Sequence, residues 1–366
     1  MRPETEAELA EIVAGLQGPV RIAGGGTRGI RGPDDLVETS GLSGTTLYEP
    51  GALTIVAQAG TPVTEIEAAL DAEGQQLAFE PMDHRSLLGT NGTPTIGGVV
   101  AANISGPRRI QAGACRDFLL GVRYVDGRGQ IVKNGGRVMK NVTGYDLVKL
   151  MSGAWGTLGV LTEVSLKVLP KPEAIATLQI PVADAGTAIQ VLSAALKSPF
   201  EVSGAAYDPQ SGRALLRLEG FADSVAYRVE QLKSTLAGFG APEEVEGLPD
   251  LWRDIRDAAA FHDKEGDVWR ISVKPTDAPE VSARLDASQT LFDWGGGLIW
   301  ALVPKGVDLR ARLGAFDGHA TIVRADTETI TALGRFQPET AGVAALTQGL
   351  RQKFDPRGLF NPGLMG

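Results

Sequence analysis

Cysteine is nearly absent: Cys115 is the single one among 366 residues. One thiol forms no internal disulfide and supplies neither a cysteine zinc site nor the four thiolates of an iron–sulfur cluster. Histidine is almost as scarce, with His84, His262 and His319 the full complement. Positive charge is not in excess, since 35 Lys and Arg face 44 Asp and Glu for a net charge of −9. Nucleic-acid binding therefore has no global electrostatic support. No apolar run approaches the roughly 20 residues of a membrane-spanning helix. The first residues, Met1-Arg2-Pro3-Glu4-Thr5-Glu6, lack the basic-then-apolar order of a signal peptide. These absences predict a cytoplasmic protein with no transmembrane segment.

Ordinary globular values accompany them, 43% hydrophobic and 22% charged, which excludes wholesale disorder. At roughly 150 residues per domain the length suggests two domains. Glycine is the unusual abundance: 47 residues, about twice the average share, with the tightest clusters before residue 160. Glycine serves turns between short strands, and it also lets a backbone approach a ligand closely. Both readings stand until spacing is considered.

The opening segment reads as helix, strand and glycine loop. Thr5 and Glu8 form a capping box ahead of Leu9, Ile12, Val13 and Leu16, and Val20–Ala23 leads into Gly24-Gly25-Gly26-Thr27. A strand over Thr54–Ala59 passes through Gly60 to a helix with Thr61 as N-cap and Pro62 at its first position. Gln76–Phe79 follows as a strand, and Leu119–Val125 with Gln130–Lys133 as a hairpin. A helix from Tyr145 to Met151 precedes a long strand, Val160–Leu169. Two prolines in Lys167-Val168-Leu169-Pro170-Lys171-Pro172 mark a domain boundary. Beyond it, strand-like runs alternate with amphipathic helices, an α+β pattern of ferredoxin-like type covered on one face. No internal repeat stands out.

Gly24-Gly25-Gly26-Thr27-Arg28-Gly29 satisfies G-x-G-x-x-G after a strand. A dinucleotide fold also needs a helix opening from the loop, and Ile30-Arg31-Gly32-Pro33-Asp34-Asp35 makes none. No G-x-x-x-x-G-K-[ST] occurs either. Successive amides in a glycine turn still form an anion nest without a helix, with Thr27 adding a hydroxyl and Arg28 charge; a plain strand–turn connection is the alternative. Further clusters lie at Thr95-Ile96-Gly97-Gly98, at Ser105-Gly106-Pro107-Arg108-Arg109 and at Gly113 with Asp117. The last is Gly153-Ala154-Trp155-Gly156-Thr157-Leu158-Gly159-Val160. Four anion-competent segments in one small domain suggest a long ligand with a diphosphate at its middle.

In these stretches the sequence resembles the FAD-linked oxidases, the family with a PCMH-type (vanillyl-alcohol-oxidase) FAD-binding domain. The matching segments are Val20–Thr27, Gly60-Thr61, Thr95–Asn103, Gly113–Val125, Gly153–Leu169 and the tail from Phe354 to Gly363. Within the family, Ser105–Arg109 and Val138–Asp146 resemble the FAD-binding subunits of glycolate oxidases. The resemblance implies a two-subdomain FAD-binding domain over 1–170, an α+β cap over 171–350, and a tail, 351–366, that returns to the first domain. It implies FAD held at the diphosphate by Gly24, Gly25, Gly26 and Thr27. Gly97, Gly98, Asn103 and Gly106 would follow the pyrophosphate and ribityl region, Gly156, Thr157, Gly159 and Val160 an end of the flavin, with Asn361 near its ring. Gly60, Thr61, Gly113 and Asp117 belong to the same matching segments. The first loop has no histidine, so the FAD is expected to be non-covalent.

The activity implied is oxidation of glycolate, a 2-hydroxy acid, by one subunit of a complex. The expected partners are a larger FAD-linked oxidase subunit and an iron–sulfur subunit, with the inner face of the membrane as the implied place of the complex. A free-standing alcohol or alditol oxidase and a non-catalytic flavin-binding or scaffolding subunit are the rivals. Such oxidation needs a proton acceptor and a cation for the carboxylate. His319 is the candidate base, or else a packed histidine before a strand; Arg108, Arg109 and Arg324 are candidate carboxylate anchors. The H-x-G-D-G-N stretch of related metal-dependent hydroxy-acid dehydrogenases is missing, so no metal is expected.

Overall fold

A computed structural model describes residues 1–137, 144–246, 248 and 250–365; the family-like segment 138–143 thus lies outside the described residues. The chain divides into two compact units. The first joins Met1–Ser105, Gly113–Lys171 and the chain from Pro338 onward; the second joins Gly106–Ala112 to Pro172–Gln337. The break between Lys171 and Pro172 falls in the proline-marked stretch. The return to the first unit begins at Pro338, ahead of residue 351.

In the first unit a five-stranded antiparallel sheet runs in the spatial order Thr45–Glu49, Thr54–Gln58, Val160–Lys167, Leu119–Val125, Ile131–Gly135. Beside it Arg21–Ala23 pairs in parallel with Leu36–Glu38. The helix Glu6–Gly15 starts where Thr5 accepts from the Glu8 amide, and it buries Leu9 and Val13. These meet Val20, Ile22, Val37, Val160, Leu359 and Phe360 in one core. Thr61 does not cap the next helix, which spans Val63–Asp71. Its hydroxyl instead donates to the Gln58 carbonyl at 2.7 Å and accepts the Gly44 amide. Thr95 is the N-cap, and opens a short helix, Ile96–Ala101, over the stretch that carries Gly97 and Gly98.

The second unit is an eight-stranded antiparallel sheet made of two like halves. The first half is β1 (Ala174–Pro181), α1 (Ala185–Lys197), β2 (Gly204–Asp208), β3 (Arg213–Gly220), α2 (Ala222–Leu236) and β4 (Glu243–Glu244). The second is β5 (Asp267–Val273), α3 (Ala278–Leu285), β6 (Gln289–Asp293), β7 (Leu298–Val303), α4 (Leu309–Leu313) and β8 (Gly318–Arg324). The spatial order is β4-β1-β3-β2-β6-β7-β5-β8, so each half has the β-α-β-β-α-β connectivity of a ferredoxin-like unit. The structural repeat is a correction to the sequence reading. It left no visible periodicity because the halves share a burial pattern rather than residues. All four helices pack on one face, where Leu192, Leu216, Val229, Trp269, Phe292, Ile299 and Ile322 form a continuous core.

Candidate active site and cofactor cavity

A cavity of about 370 Å³ lies within the first unit. Its lining begins with Arg21, Ile22 and Ala23 and continues through the loop Gly24–Arg31. Leu36, Thr39, Ala59, Gly97, Gly98, Ala101 and Ala102 contribute next, and Trp155, Gly156, Gly159 and Leu161 complete it. Of the residues singled out in the sequence, Gly24, Gly25, Gly26, Thr27, Gly97, Gly98, Gly156 and Gly159 line this space. Gly60, Thr61, Asn103, Gly106, Gly113, Asp117, Thr157, Val160 and Asn361 do not. Asn103 accepts the Arg116 amide, Asp117 accepts the Ala114 amide, Thr157 donates to the Ala154 carbonyl, and Val160 sits in the core. Gly106 belongs to the second unit, where its carbonyl accepts the Trp294 indole N–H at 3.0 Å.

The glycines make the loop in two different ways. At Gly25 a Cβ would stand 1.5 Å from the Thr93 carbonyl oxygen, and at Gly92 one would stand 1.6 Å from that of Gly25. The two backbones interlock with no room for a methyl group. Gly26, by contrast, has φ of +71° and open space at its Cβ position, so its backbone faces the cavity bare. Among the described residues the amides of Gly25, Gly26, Thr27 and Arg28 donate to no other backbone group. That leaves a run of N–H donors for an anion.

Arg28, read from the sequence as a charge beside the nest, also lines the cavity. Its guanidinium is packed against Gly98, where a Cβ would come within 2.8 Å of Nη1, and its buried Nε has no hydrogen-bond partner. Burial lowers its pKa to about 10, so it stays cationic at neutral pH. The nearby carboxylate of Asp83 is held by Arg85 at 2.7 Å. A buried cation with an unsatisfied donor, beside free amides, fits the diphosphate of FAD. The room for Arg28 is what the bare Cα of Gly98 provides, while Gly97 is small because Ala59 lies 2.6 Å from its Cβ position. Cys115 is buried and its thiol pKa is pushed up by desolvation, which keeps it an unreactive filler beside this segment.

Asn361 works one step behind the lining. It is 3% exposed, accepts the Ile22 amide at 2.8 Å through Oδ1, and donates through Nδ2 to the Trp155 carbonyl at 2.8 Å. Ile22 and Trp155 both line the cavity, and Trp155 has a positive φ of 53°. Asn361→Ala is expected to destabilise the first unit by about 2 kcal/mol, the scale of leaving a buried donor and acceptor unpaired, and to weaken flavin retention. Thermal melting and flavin content of the purified variant check this.

His319 lies in the second unit on β8, in register with Ser272 of β5. The imidazole reaches solvent, yet surrounding protein, then Arg270 and Arg109, hold its pKa below the ordinary value. The neighbouring Asp317 pairs with Lys274 at 2.5 Å. Of the candidate anchors, Arg108 is committed to Glu219, and Arg324 donates to the carbonyls of Phe261 and Lys264. Arg109 lies over the Trp294 ring.

Comparison with known proteins agrees with this geometry. Residues 1–135 match the family model described as FAD binding domain. Glycolate oxidase subunit GlcE of Escherichia coli (strain K12) is 38% identical over 320 residues, which cover 87% of this chain and 83% of that protein. Glycolate oxidase subunit GlcD of Bacillus subtilis (strain 168) is 37% identical over 126 residues, 34% of this chain and 25% of that one. Among solved structures, an alkyldihydroxyacetonephosphate synthase superposes with a TM-score of 0.69 at 18% identity, covering 99% of this chain and 76% of that one. That likeness establishes the fold. Together with the FAD-binding domain match, the similarity to GlcE along most of both chains places the protein: it belongs to the FAD-linked oxidase family.

Proposed function

We propose that this chain is the FAD-binding subunit of a complex that oxidises glycolate to glyoxylate. The observation that carries the reading is the 38% identity to a glycolate oxidase subunit across 87% of the chain. The cavity adds physical support, since Arg28 and the loop amides suit the FAD diphosphate. When bound, FAD supplies the two-electron acceptor for oxidation of an alcohol carbon. The protein's own work is to hold that group. Arg28 and the amides of Gly25–Arg28 meet its charge, and Asn361 ties Ile22 and Trp155 in place.

The site assignments follow the same reading. Gly24, Gly25, Gly26 and Thr27 would cradle the diphosphate, and Gly97, Gly98, Gly156 and Gly159 would border the remainder. His319, held neutral near pH 7 by its surroundings, is a competent proton acceptor. A single cysteine houses no cluster, so sustained turnover needs a partner with iron–sulfur centres or direct access to oxygen, and the glycolate oxidase reading favours the first. That favours a larger FAD-linked oxidase subunit and an iron–sulfur subunit as partners. The reading in which this subunit supports its partner's catalysis is favoured by the missing H-x-G-D-G-N stretch.

Two measurements test these assignments. With no histidine in the loop Gly24–Arg31, acid precipitation is expected to release intact FAD into the supernatant; flavin retained on the denatured chain overturns non-covalent binding. Glycolate-dependent dye reduction is expected to be at least tenfold slower for the isolated chain than for the co-expressed complex. Equal rates overturn dependence on partners, and no glycolate oxidation by the complex overturns the substrate.

A further inference from the structure

The sheet of the second unit has one face covered by α1 to α4, and Arg270 lies on the other. Along β5, Trp269, Ile271 and Val273 are buried in the core while Arg270 and Ser272 alternate to the opposite side. Register across the sheet sets Arg270 opposite Trp300 on β7 and opposite Thr321 on β8. His319, two residues from Thr321, shares that face.

Against this face stands Trp294, held unusually firmly. Its φ is +55°, a conformation that bulky side chains rarely adopt and that tends to mark function. The strained backbone is fixed by the Asp293 carboxylate, which accepts the Trp294 amide at 2.7 Å, and the indole N–H donates to the Gly106 carbonyl. Two guanidiniums lie over the ring, Arg109 at 4.2 Å and Arg270 at 4.9 Å from its centroid. Burial, and after it repulsion from Arg109, brings the pKa of Arg270 down to about 10. Asp293 attracts Arg270, yet among the described residues no carboxylate lies within 4 Å of that guanidinium and no acceptor takes its N–H groups. The five donors of an arginine are seldom left so. Cation–π contact with a clamped ring orients the fork without using its hydrogen bonds.

We infer that Arg270, with Arg109 and the Trp294 platform, forms a binding subsite for a small carboxylate on the second unit. A carboxylate accepts two parallel N–H bonds from one guanidinium and neutralises the charge that the two arginines crowd together. The neutral imidazole of His319 stands on the same face, beside the position of whatever the carboxylate bears. Naming a carboxylate rather than another anion rests on the glycolate reading above.

The test is calorimetric titration of the full-length, flavin-containing protein with oxalate, which carries no hydroxyl to oxidise, and with glycolate and inorganic phosphate for comparison. Saturable binding of oxalate and glycolate is expected, weakened at least tenfold by Arg270→Met. Arg270→Lys should recover part of it, because the charge returns without the fork. Trp294→Phe should weaken it less than Arg270→Met, and flavin content should stay unchanged in all three. Unaltered oxalate affinity in Arg270→Met, or no saturable binding to the unaltered protein, overturns the subsite. Phosphate binding as tightly as oxalate overturns its carboxylate character. If Arg270→Met does not fold, Arg270→Lys and Arg270→Gln decide by the same comparison. The two readings fail separately. Glycolate oxidation by the complex with no carboxylate bound through Arg270 ends the subsite alone. Carboxylates bound through Arg270 by a complex inert to glycolate end the substrate assignment alone.

Discussion

Gly25→Ala is expected to yield protein with less than about a tenth of the wild-type flavin content and a first unit that melts several degrees lower. The reason is contact, not conformational preference. The new methyl would lie 1.5 Å from the carbonyl oxygen of Thr93, a backbone atom that no rotamer change removes. A Cβ at Gly92 would likewise stand 1.6 Å from the Gly25 carbonyl oxygen, so the two segments pack backbone against backbone and neither yields without moving the other. Overpacking commonly costs about 1–3 kcal/mol, and a backbone overlap of this depth belongs at or beyond the upper end. Any relaxation moves Gly25 and Gly26, the amides that face the cavity. Gly26→Ala makes the informative contrast. Its Cβ meets nothing, so only the positive φ is penalised, by about 1 kcal/mol. Flavin absorbance per protein and thermal melting distinguish the pair; normal flavin content in Gly25→Ala would show that this loop does not hold the cofactor.

The second large effect lies in the other unit. Glu219 is nearly enclosed, with Arg108 at 2.6 Å and Arg217 at 3.4 Å, and all three side chains are 8% exposed or less. Glu219→Ala leaves two buried guanidiniums beside each other with no carboxylate between them. Breaking a buried ion pair by removing one partner costs about 3–5 kcal/mol. Urea unfolding should show this loss in the transition of the second unit, while the flavin-linked transition of the first moves little. Glu219→Gln keeps an acceptor for both arginines and is expected to lose less. A Glu219→Ala midpoint within error of wild type would mean that solvent reaches the site readily.

Much of the candidate cofactor site was legible in sequence, because a glycine loop after a strand is a local signal. Gly24–Thr27, the Gly97-Gly98 pair, Gly156 and Gly159 announce themselves by composition, and all eight line one cavity. What spacing did not convey is why each position must be glycine. Gly97 gives way to Ala59, Gly98 to Arg28, and Gly25 to Thr93, contacts between segments tens of residues apart. Arg28 was legible as a charge beside the nest but not as a buried one; its burial depends on Gly98 being bare. The second unit was legible as α+β but not as two like halves, since alternation in a strand repeats burial, not identity. Thr61 shows the local limit. It satisfied every rule for an N-cap, yet the turn at Gln58 claimed its hydroxyl first.

The tie between Asn361, Ile22 and Trp155 sets a condition on synthesis. Ribosomes add roughly 5–20 residues per second, so residues 1–171 of the first unit emerge some ten to forty seconds before Leu359, Phe360 and Asn361 exist. During that interval Val20, Ile22 and Leu9 lack the Leu359 and Phe360 that seal their core, and Trp155 lacks its tether. The nascent first unit must wait, with apolar surface uncovered, while the whole of the second is made. Flavin retention is therefore expected only once translation has passed residue 361, and a product lacking 359–361 is expected to be proteolysed faster than the full chain rather than to persist as a weaker flavoprotein.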